Sequence, residues 1–238
     1  MILLALDTCD ARGSCAILRD DEVLHVVAHD SGLDYSSWLL PAVDAALAAT
    51  LLKMREIEVF AVASGPGSFT GLRVGLTTVK AWSEVYGTQI SPVSRLEAIA
   101  SQSRAAAGYV AAFVDAHREQ VFGGLYRREG HGLQLIEQEM AVAPQGFVEF
   151  VEQHVHGNAV SWISMDPEKV TSLGVWKEHA KKGQQVLRSE HILAQIIGHI
   201  GRQRALDGRL KNALTLDAEY LRRSDAEIFW KSGAKRGA

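Results

Sequence analysis

The 238-residue chain is 47% hydrophobic with a formal net charge of −3, which excludes a disordered chain and a global field drawing it to nucleic acid or acidic membranes. Two cysteines, Cys9 and Cys15, exclude a disulfide scaffold. The opening MILLALDTCD is too short and unflanked for a signal peptide, and no apolar run approaches a membrane span, so a reducing cytoplasm and no membrane are expected.

Residues 2–6 are a short apolar run ending in Asp7, the pattern of a buried strand presenting a carboxylate at its end. Residues 13–18 and 22–29 read as two more strands joined by the turn-like RDDE. From Tyr35 the period changes to that of a helix, with Leu40, Val43, Leu47 and Leu51 on one face. Asp34 or Ser36 is its candidate cap, and Pro41 either starts the regular helix or kinks it. Residues 58–64 form the next strand, followed by GPGSFTGLR at 65–73 and a helix over 71–86 stopped by Gly87. A strand at 89–93 and a helix over 94–107 complete a β-β-β-α-β-α-β-α order. That order is shared with the ribonuclease-H-like lobe of actin-like and sugar-kinase-like ATPases, so the expected class is α/β, an actin-like (ASKHA) two-lobed fold. The first lobe is expected at 1–107 and the second at 108–238, the latter including the C-terminal helix and tail. In the second lobe, strands are expected at 109–115, 120–127, 133–139 and 159–164. Helices are expected over 144–155, opened by Pro144, and over 191–206. Residues 166–188 give no clear pattern, and the basic, Gly/Ala-rich 231–238 reads as a loose tail.

The glycine loop fits neither familiar phosphate motif. A Walker A loop needs G-x-x-x-x-G-K-[ST], but five residues separate Gly65 from Gly71, and Leu72 stands where the lysine would be. A dinucleotide fingerprint needs G-x-G-x-x-G on the first strand of its unit; here the spacing is one residue longer, on a later strand. Amides at a helix N-terminus still attract anions, which leaves Gly65, Gly67, Ser68 and Arg73, with Asp7, as candidate nucleotide contacts. The other reading is close packing. Gly71, Gly75, Thr78 and Trp82 share one helical stripe, and an interior glycine costs about 1 kcal/mol against alanine. The backbone that approaches is either the chain's own first helix or a helix of another subunit.

Asp7 and Asp115 end apolar strands in the two halves. Asp7 lies where this fold's ATPases keep a magnesium-associated carboxylate, and Asp115 is its counterpart in the second lobe. Local turn bonding is the alternative for both. His25 and His29 have H-x-x-x-H spacing. The valine-rich EVLHVVAH is a strand, however, which holds the rings about 13 Å apart at about 3.3 Å per residue, too far for one ion. No G-x-S-x-G elbow is present. No metal site and no catalytic residue are expected.

Four stretches, ILLALDT (2–8), LLP (39–41), GPGSFTGLRVG (65–75) and VSRLEAIA (93–100), together with DAHREQVF (115–122) and AEYLRRSDAE (218–227), closely resemble the TsaB (YeaZ) family over nearly the whole chain. The resemblance implies a two-lobed actin-like accessory subunit in bacterial synthesis of threonylcarbamoyladenosine beside the tRNA anticodon. It is similar to the catalytic TsaD subunit of the glycoprotease-like family but lacks that subunit's metal site. It implies pairing with a TsaD-like subunit, a TsaE-like ATPase that joins the pair, tRNA reached through the complex, and homodimers through the same helices. No cofactor of its own is implied beyond ATP or ADP at the subunit interface. Carried onto this chain, the interface is expected at Trp38, Leu39, Val43, Leu47, Gly71, Leu72, Gly75, Thr78 and Trp82. An actin-fold ATPase or small-molecule kinase using Asp7, Asp115 and the glycine loop is the alternative. The chain departs from the family pattern at Tyr35, where a histidine is frequent, and at Ala218–Glu219, where a proline is frequent.

Overall fold

A computed structural model describes residues 1–29, 34–104, 108–130, 132–217 and 221. The AEYLRRSDAE segment, apart from Leu221, and the basic tail lie outside the described residues.

The first sheet has the order β3-β2-β1-β4-β5, built from β1 (Ile2–Asp7), β2 (Ser14–Arg19), β3 (Glu22–Ala28), β4 (Val59–Gly65) and β5 (Gln89–Ser94). The meander β1-β2-β3 is antiparallel, and β4 and β5 add in parallel on the other side of β1. β4 reads VFAVASG and every residue is buried, as expected of a parallel strand covered on both faces. Helices α1 (Tyr35–Thr50) and α2 (Phe69–Tyr86) pack on this sheet. Pro41 sits inside α1 without ending it. Ser68 caps α2, accepting from the Gly71 amide, and Gly87 closes it with φ +70°, the left-handed turn that glycine takes without a Cβ penalty. Adjacent residues of β4 face opposite ways: Phe60 packs on Trp82 of α2 with ring centroids 5.8 Å apart.

The second sheet repeats the topology without repeating the sequence. It consists of β6 (Gly108–His117), β7 (Gln120–Glu129), β8 (Gly132–Leu135), β10 (Val160–Ser164) and β11 (Val186–Arg188), with the short β9 (Met140–Val142) paired to β7. Its order, β8-β7-β6-β10-β11, is the first sheet's order again: an antiparallel meander followed by two parallel strands. Two lobes of this topology are the actin-like arrangement. The unreadable 166–188 stretch holds the short helices α5 (Glu168–Thr171) and α6 (Trp176–Lys181) and β11.

Helix α3 (Arg95–Ser101) is shorter than expected; Ser94 caps it with its hydroxyl. Strand β6 alternates between cores. Val110, Ala112 and Val114 join the main core, whereas Ala111 and Phe113 face a second cluster with Phe147, Trp162 and Trp176. Phe147 comes from α4 (Pro144–Val155), which has Pro144 in its first turn.

The C-terminal helix α7 (Ala194–Leu206) corrects the expected division of the chain. It lies on the first sheet, not the second. A Cβ on Gly198 would stand 2.4 Å from Leu18, and one on Gly201 would stand 2.6 Å from the Ala61 methyl. The two glycines therefore let α7 seat directly on β2 and β4. The contact between lobes is partly apolar, through Val110, Ala112, Val114 and Ile163 of the main core, and partly polar. Ser103 Oγ donates to Ser161 Oγ at 2.8 Å, Arg128 donates to the Ser103 carbonyl at 3.0 Å, and Ser94 and Tyr126 both donate to Glu139.

The β6–β7 turn places His117, Arg118 and Glu119 at φ 59°, 53° and 58°. Left-handed backbone costs a non-glycine residue about 1–2 kcal/mol. Glu119→Gly is therefore expected to stabilise the chain by about 1 kcal/mol, seen as a higher urea midpoint at unchanged slope. A lower midpoint would mean that the Glu119 side chain holds the turn.

Candidate functional site

The end of β1, the turn after it and the start of α2 form one interlocked unit. A Cβ on Gly67 would fall 2.2 Å from the Cys9 carbonyl oxygen, one on Gly71 2.0 Å from the Thr8 carbonyl oxygen, and one on Gly75 2.4 Å from Thr8 Oγ1. Thr8 Oγ1 donates to the Gly71 carbonyl at 2.7 Å, and the Ser68 amide donates to the Cys9 carbonyl at 2.7 Å. The approaching backbone is thus neither the first helix nor another subunit. It is the chain's own β1–β2 turn.

Part of the anion-binding capacity at the start of α2 is used within the chain. Of the amides at the start of α2, that of Ser68 is spent on Cys9, that of Gly71 on Ser68 Oγ and that of Leu72 on the Ser68 carbonyl. Gly65 is buried, and the Arg73 guanidinium lies 3.7 Å from the centre of the Phe69 ring.

Asp7 is fully buried, and so is the arginine that faces it. Arg95, first residue of α3, places Nε 3.5 Å from Asp7 Oδ2 and donates from a terminal nitrogen to Asp10 Oδ2 at 2.6 Å. The same nitrogen lies 3.2 Å from the sulfur of Met165, beyond the end of β10 in the second lobe. The other Asp7 oxygen accepts from the Cys9 amide at 2.9 Å. Burial opposes the charge on Arg95, but Asp7 and Asp10 outweigh it and raise its pKa. Burial likewise disfavours ionised Asp10, yet Arg95 and the Ala11 amide bring its carboxyl below the usual range. The Cys9 thiol is pushed well up, first by burial and then by Asp7, so it is not a nucleophile.

The second strand-end carboxylate is also occupied. Asp115 Oδ2 pairs with Lys169 of α5 at 2.9 Å, and Oδ1 accepts from the His117 amide at 2.8 Å. A nucleotide-bound metal in an actin-like cleft needs such carboxylates open to it. Here each already faces a cation of the chain, so the residues present do not fit that group, and the ATPase or kinase reading loses its machinery. His25 sits in β3 opposite Ile17, and His29 Nδ1 lies 2.9 Å from the Ala11 carbonyl. Among the described residues, no three side chains of His, Cys, Asp and Glu converge to hold a metal. No helix among them is long and apolar enough to cross a membrane.

The residues nominated for a partner interface divide sharply. Trp38, Leu39, Val43 and Leu47 on α1 and Gly71, Leu72 and Gly75 on α2 are buried in the chain's own core; only Thr78 and Trp82 are partly exposed. The periodic apolar stripe marks the face a helix turns to its own sheet, and that is the face it found. The opposite face is the exposed one. On α1 it shows Leu40, Pro41, Asp44, Ala45, Ala48 and Ala49, with Leu40 53% exposed and Asp44 the single charge among them. On α2 it shows Thr70, Arg73, Thr77 and Ala81, with Val74 and Thr78 half-buried. The signal was present, since YSSWLLPAVDAALAAT is apolar nearly all round, and such a helix needs cover on both sides. Tyr35 ties the start of α1 to the turn: its hydroxyl donates to the Asp10 carbonyl, and its ring stacks on His29 at 4.5 Å.

Residues 26–164 match the sequence model of the family TsaD, tRNA N6-adenosine threonylcarbamoyltransferase. The chain is 28% identical to the tRNA threonylcarbamoyladenosine biosynthesis protein TsaB of Bacillus subtilis, covering 99% of this chain and 100% of that protein. It is 26% identical to the protein of the same name from Escherichia coli, covering 97% of each. Among solved structures, YeaZ from Pseudomonas aeruginosa superposes with a TM-score of 0.70 at 22% identity, covering 92% of this chain and 99% of that one.

Proposed function

We propose, from a chain that belongs to the tRNA N6-adenosine threonylcarbamoyltransferase family and matches its TsaB (YeaZ) relatives from end to end, that this protein is the non-catalytic partner of a TsaD-like subunit. In that role it supports transfer of threonylcarbamoyl from threonylcarbamoyl-AMP to the adenosine next to the tRNA anticodon. The observation that carries this reading is the outward face of α1, where Asp44 is the single charge among Leu40, Pro41, Ala45, Ala48 and Ala49, together with strand-end carboxylates already paired within the chain. An exposed apolar patch of this kind marks a protein interface, and carboxylates paired within the chain are engaged in holding its own structure.

The finer assembly follows the same reading. A TsaE-like ATPase joins the pair, tRNA is reached through the complex, and any ATP or ADP sits at the subunit interface, not in this chain's cleft. A homodimer uses the same helical face and competes with the heterodimer.

Size-exclusion chromatography with light scattering tests the pairing, with the protein alone and then mixed with the TsaD-like subunit of the same organism. A new peak holding one copy of each is expected. Absence of any complex, together with ATP turnover by the isolated chain that Asp7→Asn abolishes, would replace this reading with the ATPase one.

A further inference from the structure

The fold leads one to expect a strand-end carboxylate facing a cation that arrives with a ligand. In this chain the cation is covalently part of the protein. Arg95 sits with 2% of its surface exposed between Asp7 and Asp10, and its terminal nitrogen also meets Met165 of the other lobe. Asp7 Oδ2 and Arg95 Nε form no hydrogen bond with any described residue, so charge, not hydrogen-bond geometry, accounts for their pairing. The second lobe repeats the device with Asp115 and Lys169.

What Arg95 holds is the turn that underlies the helical face. Asp7 and Asp10 bracket Thr8 and Cys9, whose carbonyls lie directly beneath Gly71 and Gly67 of the glycine loop and α2. The Asp10 carbonyl receives the hydroxyl of Tyr35, first residue of α1. One guanidinium thus reaches both outward helices through a single turn, and the second lobe through Met165.

We infer that Arg95 is a permanent internal cation that replaces a metal–nucleotide charge in the interlobe cleft and positions the β1–β2 turn, so that the α1–α2 face is built without a ligand. The second half of this inference rests on the accessory-subunit reading; the first does not. A buried carboxylate stripped of its counter-ion is left uncompensated, so removing the arginine should create a demand for another cation. Two carboxylates around the vacated space have the oxygen chemistry that Mn²⁺ accepts.

The test uses the full chain as wild type, Arg95→Ala, Arg95→Lys and the doubly neutral Asp7→Asn/Arg95→Met. Thermal melts and calorimetric titration with Mn²⁺ are read first. Arg95→Ala is expected to bind Mn²⁺ saturably and to melt higher in its presence, whereas wild type, Arg95→Lys and the double variant do neither. A folded Arg95→Ala without a Mn²⁺ site overturns the inference, as does a wild type whose own Mn²⁺ site is lost in Asp7→Asn. If Arg95→Ala folds neither with nor without Mn²⁺, the double variant decides. Its folding assigns the need for Arg95 to the buried charge, and its failure to fold assigns that need to packing and overturns the inference. Affinity for the TsaD-like subunit is read next. Arg95→Ala without metal is expected to bind at least tenfold more weakly than wild type, with Mn²⁺ restoring it; folded Arg95→Ala binding as wild type does would overturn the positioning role. A wild type that binds no partner removes the accessory-subunit reading alone, because the Mn²⁺ measurements stand without it.

Discussion

Gly71→Ala is expected to destabilise the isolated chain by about 3 kcal/mol or more, because a methyl group inserted into a packed interior costs about 1–3 kcal/mol when its neighbours can shift. Here the neighbour is the Thr8 carbonyl oxygen, 2.0 Å from where the new carbon would sit. That oxygen belongs to the turn between β1 and β2, and β1 is the central strand of its sheet, so it cannot swing aside as a side chain would. For a domain of this size, each kcal/mol shifts the melting temperature by about 2–4 °C, so a fall of roughly 6–12 °C is predicted. Urea unfolding of the protein alone, without partner, makes the measurement. A variant as stable as wild type but defective in complex formation would reverse the assignment and return the glycine stripe to an interface between subunits.

The contrast between Gly71 and Arg95 shows what the sequence discloses and what it withholds. That the glycine stripe serves close backbone approach was readable, because two glycines on one helical face cost helix stability and need a reason. What approaches them was not, since Thr8 lies 63 residues from Gly71 and no local pattern links the two. The antiparallel meander of the first lobe, the stop at Gly87 and the helix start at Pro144 follow local rules and were legible. The doubled lobe follows from the actin-like class that the first lobe's element order implies, but the path of residues 166–188 was not legible, because its elements, Glu168–Thr171, Trp176–Lys181 and Val186–Arg188, are too short to show a period. Arg95 lies within VSRLEAIA, a stretch that carries the family resemblance, yet it had no assigned role. A charge followed by a mainly apolar short helix was the available sign that it is buried and must find a partner. Asp7, by contrast, was read as a carboxylate at a strand end, which it is. Only the fold shows that its charge is answered from α3.

Leu40→Glu is expected to abolish pairing with the TsaD-like subunit while leaving the chain as stable as wild type, and Leu39→Ala is expected to do nearly the reverse. The two leucines are neighbours in sequence and differ in direction. Leu39 is 1% exposed and packed in the core, whereas Leu40 is 53% exposed on the outward side of α1. Truncating a buried leucine costs about 2–5 kcal/mol, whereas an exposed substitution away from special contacts stays within about 0.5 kcal/mol. At the centre of an interface, an anchor residue contributes about 2 kcal/mol or more, which is about a thirtyfold loss of affinity, and a buried unpaired carboxylate adds to that loss. Calorimetric titration of each variant with the partner subunit, beside a melt of each variant alone, separates the two effects. Leu40→Glu binding as tightly as wild type would move the interface off the α1–α2 face. Leu39→Ala losing affinity without losing stability would mean that the buried stripe, and not its exposed opposite, meets the partner. The outward face predicts neither, because a helix with a single exposed charge, Asp44, among Leu40, Pro41, Ala45, Ala48 and Ala49 has its sheet on one side and needs a second apolar surface on the other.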